Sequence, residues 1–239
     1  MAAAEPDYDC PLCPRLVAFR ADLRAAEPAW HNAPVPRFGD LNAKLLIIGL
    51  APGRRGANRT GRPFTGDYAG DLLYNTLIEY GFATGTYGAE PDDGLQLIGS
   101  AIINAVRCVP PQNKPAPLEI NNCRRFLLST IPMMAELQAI VALGRIAHDS
   151  IVRVFGMRPA AVPFQHGAQH ILPVAPHLQI ASPLVSLYDS YHCSRYNTNT
   201  GVLTPEMFRG IFARVRDHFQ PPHIEDKEKT SPRSMRSSQ

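Results

Sequence analysis

Short apolar runs alternate with amphipathic stretches along this chain, and that rhythm predicts its elements. KLLIIGL (Lys44–Leu50), LIGSAIINAV (Leu97–Val106) and AIVAL (Ala139–Leu143) are apolar runs of strand length. Strands buried on both faces read this way, which predicts parallel pairing. Val185–Tyr188 supplies a fourth run, and His170–Val174 a short β segment. Helical spacing is found in Arg15–Ala26, where Leu16, Phe19 and Leu23 share a face, and in Ala69–Tyr80, with Leu72, Leu73, Leu77 and Ile78 inward. Glu119–Leu128 and Ile146–Phe155 are two more helices; the apolar set of the second is Ile146, Ile151, Val152 and Phe155. A last helix opens at Thr204-Pro205-Glu206 and runs to about His218, with Pro at its first position. Strands alternating with helices predict an α/β fold, a parallel sheet covered on both faces. Ligands of such sheets bind beyond the carboxyl ends of the strands.

The 239 residues can bury a full core, and no Ser/Gly-rich or charged linker divides them, so one domain is expected. Residues 1–8 read as a frayed lead, 9–220 as the folded unit, and 221–239, charged or small throughout, as a disordered tail. No apolar run approaches the roughly 18 residues of a membrane span, and MAAAEPDYDC lacks the basic and apolar regions of a secretory signal. A soluble cytoplasmic protein is expected, in a compartment that does not favour disulfides.

That setting changes the meaning of the cysteines. Cys10 and Cys13 form a C-x2-C pair stiffened by prolines, Cys108 follows the second strand, Cys123 lies in a helix, and Cys193 stands apart. A close pair plus two distant thiols suggests a metal or cluster. Tetrahedral zinc and a [4Fe–4S] cluster suit four thiolates equally well, and the spacing leaves the choice open.

The net charge is only +3, but its distribution matters more. Between Leu41 and Gly66 there is no acid, while Lys44, Arg54, Arg55, Arg59 and Arg62 all fall there. This is either the footprint of a phosphate-backbone contact or a solvated basic face. The same stretch holds the loop GLAPGRRGANRTGRPFTGD, from Gly49 to Asp67, which matches neither a P-loop nor a dinucleotide fingerprint. Gly49 and Gly53 allow close backbone approach, and Phe64 can stack on a base. Asp67, its only carboxylate, suits orienting water or stabilising a cation, and equally suits capping the helix that follows. Asn104, at the end of the second strand, offers donor and acceptor on one amide, as base reading requires. His192 sits in SYHCS, near Ser194 and Arg195. Together they suggest an enzyme acting on a nucleobase.

The segments GLAPGRRGANRTGRPFTGD, INAVRCVPPQNKP with the later NC, and SYHCSRYNTNTGVLTPEM closely resemble the family 5 (type b) uracil-DNA glycosylases, over roughly Cys10 to Arg216. The resemblance implies a single domain with a central four-stranded parallel sheet between helices. It implies a [4Fe–4S] cluster on Cys10, Cys13, Cys108 and Cys123. It also implies monofunctional excision of uracil, and of hypoxanthine and xanthine, from double-stranded and also single-stranded DNA, by a monomeric prokaryotic base-excision repair enzyme at the nucleoid. Gly49, Ala51, Gly53, Phe64, Asn104 and His192 match the base-binding set, and Asp67, His192 and Asn104 the catalytic one. Arg59, Arg62, Pro110, Pro111, Lys114, Ser194, Arg195 and Tyr196 are the expected DNA contacts, with Arg195 or Tyr196 filling the gap left by a flipped base. Ala51-Pro52-Gly53 stands where other branches of the superfamily carry an acidic or amide residue, and Cys193 where many relatives have proline. The alternative is an iron–sulfur module that recognises uracil-containing DNA without turnover. A zinc-dependent base deaminase would carry its C-x-x-C on a core helix, whereas here the pair is at the N-terminus.

Overall fold

The structure, a computed structural model, describes residues 5–220. The expected tail at 221–239 and residues 1–4 lie outside the described residues. The lead before Asp9 is not loose where it is described. Glu5 pairs with Arg37 and Arg107, and the Arg24 guanidinium lies 4.4 Å from the centre of the Tyr8 ring.

In chain order the elements are α1 (Pro14–Ala26), β1 (Phe38–Gly39), β2 (Leu45–Gly49), α2 (Ala57–Thr60), α3 (Tyr68–Glu79), β3 (Ala83–Thr84), β4 (Gln96–Leu97), β5 (Ser100–Asn104), α4 (Pro117–Thr130), β6 (Ala139–Leu143), α5 (Arg145–Val154), β7 (Gln169–Pro173), β8 (Leu184–Ser190), α6 (Arg195–Asn199) and α7 (Pro205–Phe219). Six strands form one sheet in the order β1-β5-β2-β6-β8-β7. The inner four, β5, β2, β6 and β8, are parallel. β1 and β7 add antiparallel strands at the edges, so the sheet is mixed around the expected parallel centre.

Strand alternation divides the core into two layers. Leu46, Ile48, Ile103, Ile140 and Leu187 pack with Leu127 of α4 and Ile151 and Val152 of α5. Leu45, Ile47, Ile102, Val141 and Tyr188 face the other way, onto Leu73 and Leu77 of α3 and Phe208 and Phe212 of α7. Both faces are apolar, which explains strands that read as continuous runs rather than alternations. The expected strand from Leu97 to Val106 is broken. Gly99 turns at φ +56°, and its carbonyl accepts from Lys44 and Leu45, so β5 begins only at Ser100. β4 instead pairs with β3 in a separate two-stranded ribbon.

The register sets the site. Gly49 is the direct partner of Asn104, and Leu143 that of Ser190. All four therefore reach the carboxyl edge of the sheet at neighbouring positions, and the loops that follow converge there.

Candidate active site

A recess of about 330 Å³, its mouth included, opens at that edge and is lined by Ala51, Gly53, Ala57, Phe64, Asp67, Ala69, Asn104, Asn113 and His192. It brings together the four side chains singled out from separate segments of the sequence.

Phe64 lies in the left-handed region, at φ +53°, a conformation that costs a bulky residue of order 1 kcal/mol or more. Its surroundings hold it there. The Tyr87 hydroxyl donates to the Phe64 carbonyl at 3.1 Å, and the Tyr74 hydroxyl to Pro63 at 2.5 Å. Behind the loop, Arg62 makes a bidentate pair with Asp93 at 2.8 and 2.7 Å. Arg62 is buried, with its guanidinium against the rings of Phe38, Tyr74 and Tyr87. The expectation that it contacts DNA is therefore corrected: it braces the loop from inside. Hydrogen bonding to Arg62 holds the Asp93 carboxyl well below the usual range.

Gly49 is required by the floor. A Cβ there would stand 2.4 Å from Asn104 Oδ1 and 2.5 Å from the tip of the Phe64 ring. Asn104 is 3% exposed, and its Oδ1 is buried with no hydrogen-bond partner. A buried carboxamide oxygen without a donor costs about 1–3 kcal/mol, and such groups are uncommon in native structures. Gly53 and Gly56 make room for the acid in the same way, since Cβ atoms there would lie 2.7 and 2.3 Å from Asp67 Oδ2. Asp67 caps α3, with Oδ1 accepting from Ala69 N at 3.2 Å. Its other oxygen is left beside those glycines, so capping and chemistry share one carboxylate. Burial raises its pKa above the ordinary carboxylate value, against the opposing N–H groups of Ala69 and Gly70.

The His192 ring stacks against Phe64, with centres 5.8 Å apart and planes 25° from parallel. Burial pushes its pKa down to about 4, so the imidazole is neutral at pH 7. Asn197 Nδ2 holds the His192 carbonyl at 2.8 Å. Below it, Cys193 is fully buried, with its thiol 3.5 Å from the Ala69 carbonyl, and burial raises that thiol well above its usual value.

The expected DNA contacts fall into two groups. Lys114 and Tyr196 are exposed, as is Arg195, which reaches over Tyr68; Pro111 and Ser194 are half-buried, Ser194 capping α6. These surround the recess and a larger adjoining groove lined by Leu50, Asn113, Gly144, Arg145, His192 and Ser194. Pro110 is buried and shapes its loop without offering a surface, a second correction. Arg59 is tied to Glu90 at 2.9 Å, which offsets its charge. Lys44 precedes β2 and so belongs to the opposite edge of the sheet. What remains of the basic stretch at the site is Arg54 and Arg55, exposed and without an ion pair among the described residues. Sequence reasoning missed Asn113, which lines both recess and groove. Gln112 and Asn113 are both left-handed, at φ +56° and +57°; an amide residue set among prolines was the available signal.

Cys10, Cys13, Cys108 and Cys123 line one small apolar pocket with Leu16, Val106 and Phe126. N–H groups point at three of the sulfurs: Arg107 N at 3.2 Å from Cys123, Arg20 Nη1 at 3.8 Å from Cys108, and Asn122 Nδ2 at 3.9 Å from Cys13. Donors of this kind stabilise thiolates that ligate metal. Left alone, the thiols would stay protonated, because burial pushes Cys108 to about 11 and Cys123 to about 12. Four thiols on one pocket are a donor set that zinc and an iron–sulfur cluster both use.

A recess at the carboxyl edge of a parallel sheet, holding ring, amide, acid and imidazole, is where α/β proteins of this class bind their ligands. Comparison with known proteins gives the family. Residues 36–216 match the family model described as uracil DNA glycosylase superfamily, and the chain belongs to that family. It is 47% identical over 213 residues to the type-5 uracil-DNA glycosylase of Thermus thermophilus, covering 87% of this chain and 92% of that protein. The type-5 enzyme of Pyrobaculum aerophilum is 36% identical over 211 residues, covering 87% and 88%. That of Mycobacterium tuberculosis is 38% identical over 216 residues, covering 87% and 77%.

Proposed function

We propose that the chain flips deaminated bases out of DNA and excises them at the recess, leaving an abasic site. Its family and close relatives make it a uracil-DNA glycosylase, a hydrolase of N-glycosyl bonds in DNA repair. One observation carries the assignment of the site: the Asn104 amide oxygen, buried and unpartnered beside Phe64 and His192. An acceptor so placed selects a base with a ring N–H. Uracil has one, and hypoxanthine and xanthine share it, as thymine and guanine do, whereas cytosine and adenine present an acceptor at the equivalent atom. The amide thus tells uracil from cytosine and hypoxanthine from adenine, which supports those two deaminated bases as substrates.

The target bond is hidden in the stack, so extrusion comes first, at a cost of a few kcal/mol that is smallest at a mispair. Phe64 offers a face to the extruded ring, worth ~1–3 kcal/mol. As the glycosidic bond breaks, the sugar gains positive charge and the base negative charge. His192, being neutral, serves the departing base as a hydrogen-bond donor rather than by giving up a proton. Asp67 faces the sugar side, where a carboxylate favours the cation and holds water for attack at the anomeric carbon. Lys114, Arg195 and Tyr196 grip the flanking DNA, and the exposed Tyr196 is the candidate wedge.

The cysteine cage suits a [4Fe–4S] cluster held by Cys10, Cys13, Cys108 and Cys123, which would supply cross-linking rather than catalysis. Cys108 is two residues from Pro110, and Arg15 of α1 donates to the Lys114 carbonyl at 3.0 Å and pairs with Glu119 at 2.7 Å. The cage thus fixes both ends of the loop that carries Asn113 and Lys114. No helix among the described residues is long and apolar enough to cross a membrane.

Single-turnover release of uracil from a U·G duplex tests the reading. His192→Ala and Asp67→Asn should each slow it at least about tenfold, the low side of acid–base effects. Wild-type rates in both would remove these residues from the chemistry, and binding without release in the wild type would favour a non-catalytic reader of uracil.

A further inference from the structure

Three residues outside the recess form a buried polar cluster that the mechanism above does not use: His148 of α5, His170 of β7 and Asp189 of β8. His148 and Asp189 are completely buried. His148 Nδ1 lies 2.7 Å from Asp189 Oδ1, and its Nε2 lies 2.7 Å from the Val162 carbonyl oxygen. With Asp189 as a carboxylate both partners are acceptors, and both ring nitrogens then carry hydrogen. His170 Nε2 and the Gln165 amide occupy the other Asp189 oxygen, at 3.1 and 3.2 Å. The surroundings favour the charge. Asp189 faces His148 from β8, Asp149 lies beside it on α5, the His170 ring approaches from β7 at 5.5 Å, and the Phe164 ring covers it at 5.6 Å. Burial opposes a cation there, but the Asp189 carboxylate outweighs it and the His148 pKa rises above the ordinary 6.5.

The cluster lies at the root of the catalytic loop. The Asp189 carbonyl accepts from Gly167 and its amide donates to Ala168. Two residues on, the Tyr191 amide donates to His166 Nδ1 at 3.0 Å, and the two rings stack 4.8 Å apart. The Ser190 carbonyl accepts from Gly144 at 2.8 Å, and His192 follows. Backbone bonds and the His166–Tyr191 contact fasten segment 162–168 to the end of β8, and the Asp189 carboxylate adds His148 of α5 and Val162 to that joint, needing a cation to stay satisfied in a dry core.

We infer that His148 is an imidazolium and a positioning residue for excision: paired with Asp189 and Val162, it locks the chain at Asp189–Tyr191 and so sets the His192 ring against the base. When the proton leaves, one ring nitrogen becomes an acceptor facing an acceptor. Either Val162 or Asp189 then loses its donor, and the strand end is free to shift. The folded-state pKa is raised, so this bracing is fully present below pH 6.5 and is lost as pH rises through the folded value.

This inference rests on His192 serving the departing base, so the variants are measured together. Single-turnover uracil release is followed from pH 6 to 9 for wild type, His148→Gln, His192→Ala and the double variant, with binding of a duplex carrying a non-cleavable uracil analogue measured alongside. His148→Gln, which retains a neutral donor, should be at least tenfold slower at pH 7. It should bind DNA within twofold of wild type and lack the high-pH decline that the proposal predicts for wild type. The double variant should be no slower than His192→Ala alone, because one effect acts through the other. Fully additive losses, or a wild-type rate in His148→Gln, would overturn the inference. A wild-type rate in His192→Ala would instead sink the reading of the site. If His148→Gln does not fold, ¹⁵N spectra of the wild-type imidazoles decide: two protonated nitrogens on His148 at pH 7 support the proposal, and a neutral ring refutes it.

Discussion

At the scale of single residues, the site is built as much by absent Cβ atoms as by functional groups. Gly49 lets Asn104 and Phe64 meet, and Gly49→Ala would push a methyl group within 2.5 Å of both. Its expected effect is a loss of uracil release of tenfold or more together with a lower melting temperature, since Asn104 and Phe64 are both buried; single-turnover rates and a melting curve check this. The residues that line the recess were legible in the sequence because each broke its local pattern: an acid in an acid-free stretch, an amide closing an apolar strand, a ring in a Gly-rich loop. The state of His192 was not. A pKa near 4 depends on what surrounds the ring in space. Its depressed value means its contribution to stability is present above pH 6.5 and lost as pH falls towards 4. The excision rate should accordingly show no inflection from His192 between about pH 5.5 and 8, while a loss on the acid side reports Asp67, whose carboxyl is raised by burial. An inflection near pH 6.5 that vanishes in His192→Gln would contradict the neutral ring.

At the scale of elements, continuous apolar runs gave away the inner parallel strands, and those positions held because both faces are covered by helices. The edge strand β1 was invisible: two residues, Phe38 and Gly39, carry no periodicity at all. The break at Gly99 and the short helices α2 and α6 depend on turns that apolar patterning does not report. Arginine in a basic loop carried the same ambiguity. Arg62 looked like a phosphate contact, but its partner Asp93 lies 31 positions away in the sequence. Removing one member of a buried pair leaves the other uncompensated, which typically costs about 3–5 kcal/mol. Asp93→Asn is therefore expected to lower the stability measured by urea unfolding by about 3 kcal/mol and to release Phe64 from its left-handed turn. An unchanged midpoint would show that the brace is dispensable.

At the scale of the whole molecule, four cysteines up to 113 positions apart line one pocket, a convergence that only the folded chain shows. Cys108→Ser is expected to yield protein depleted of iron and sulfide, with a lower melting temperature and weakened DNA binding. Stoichiometric zinc and full activity in the wild type would refute the cluster while leaving the glycosylase intact. The recess itself has a wider consequence. Its floor and walls are already in place, held by Tyr87, by the Arg62–Asp93 brace and by the Gly49–Asn104 register. A visitor therefore triggers no assembly step, and its fate is decided by residence time. Discrimination then begins upstream of the pocket, in how often each base pair opens spontaneously, so that weakly held lesions are sampled many times for every visit by a well-stacked neighbour.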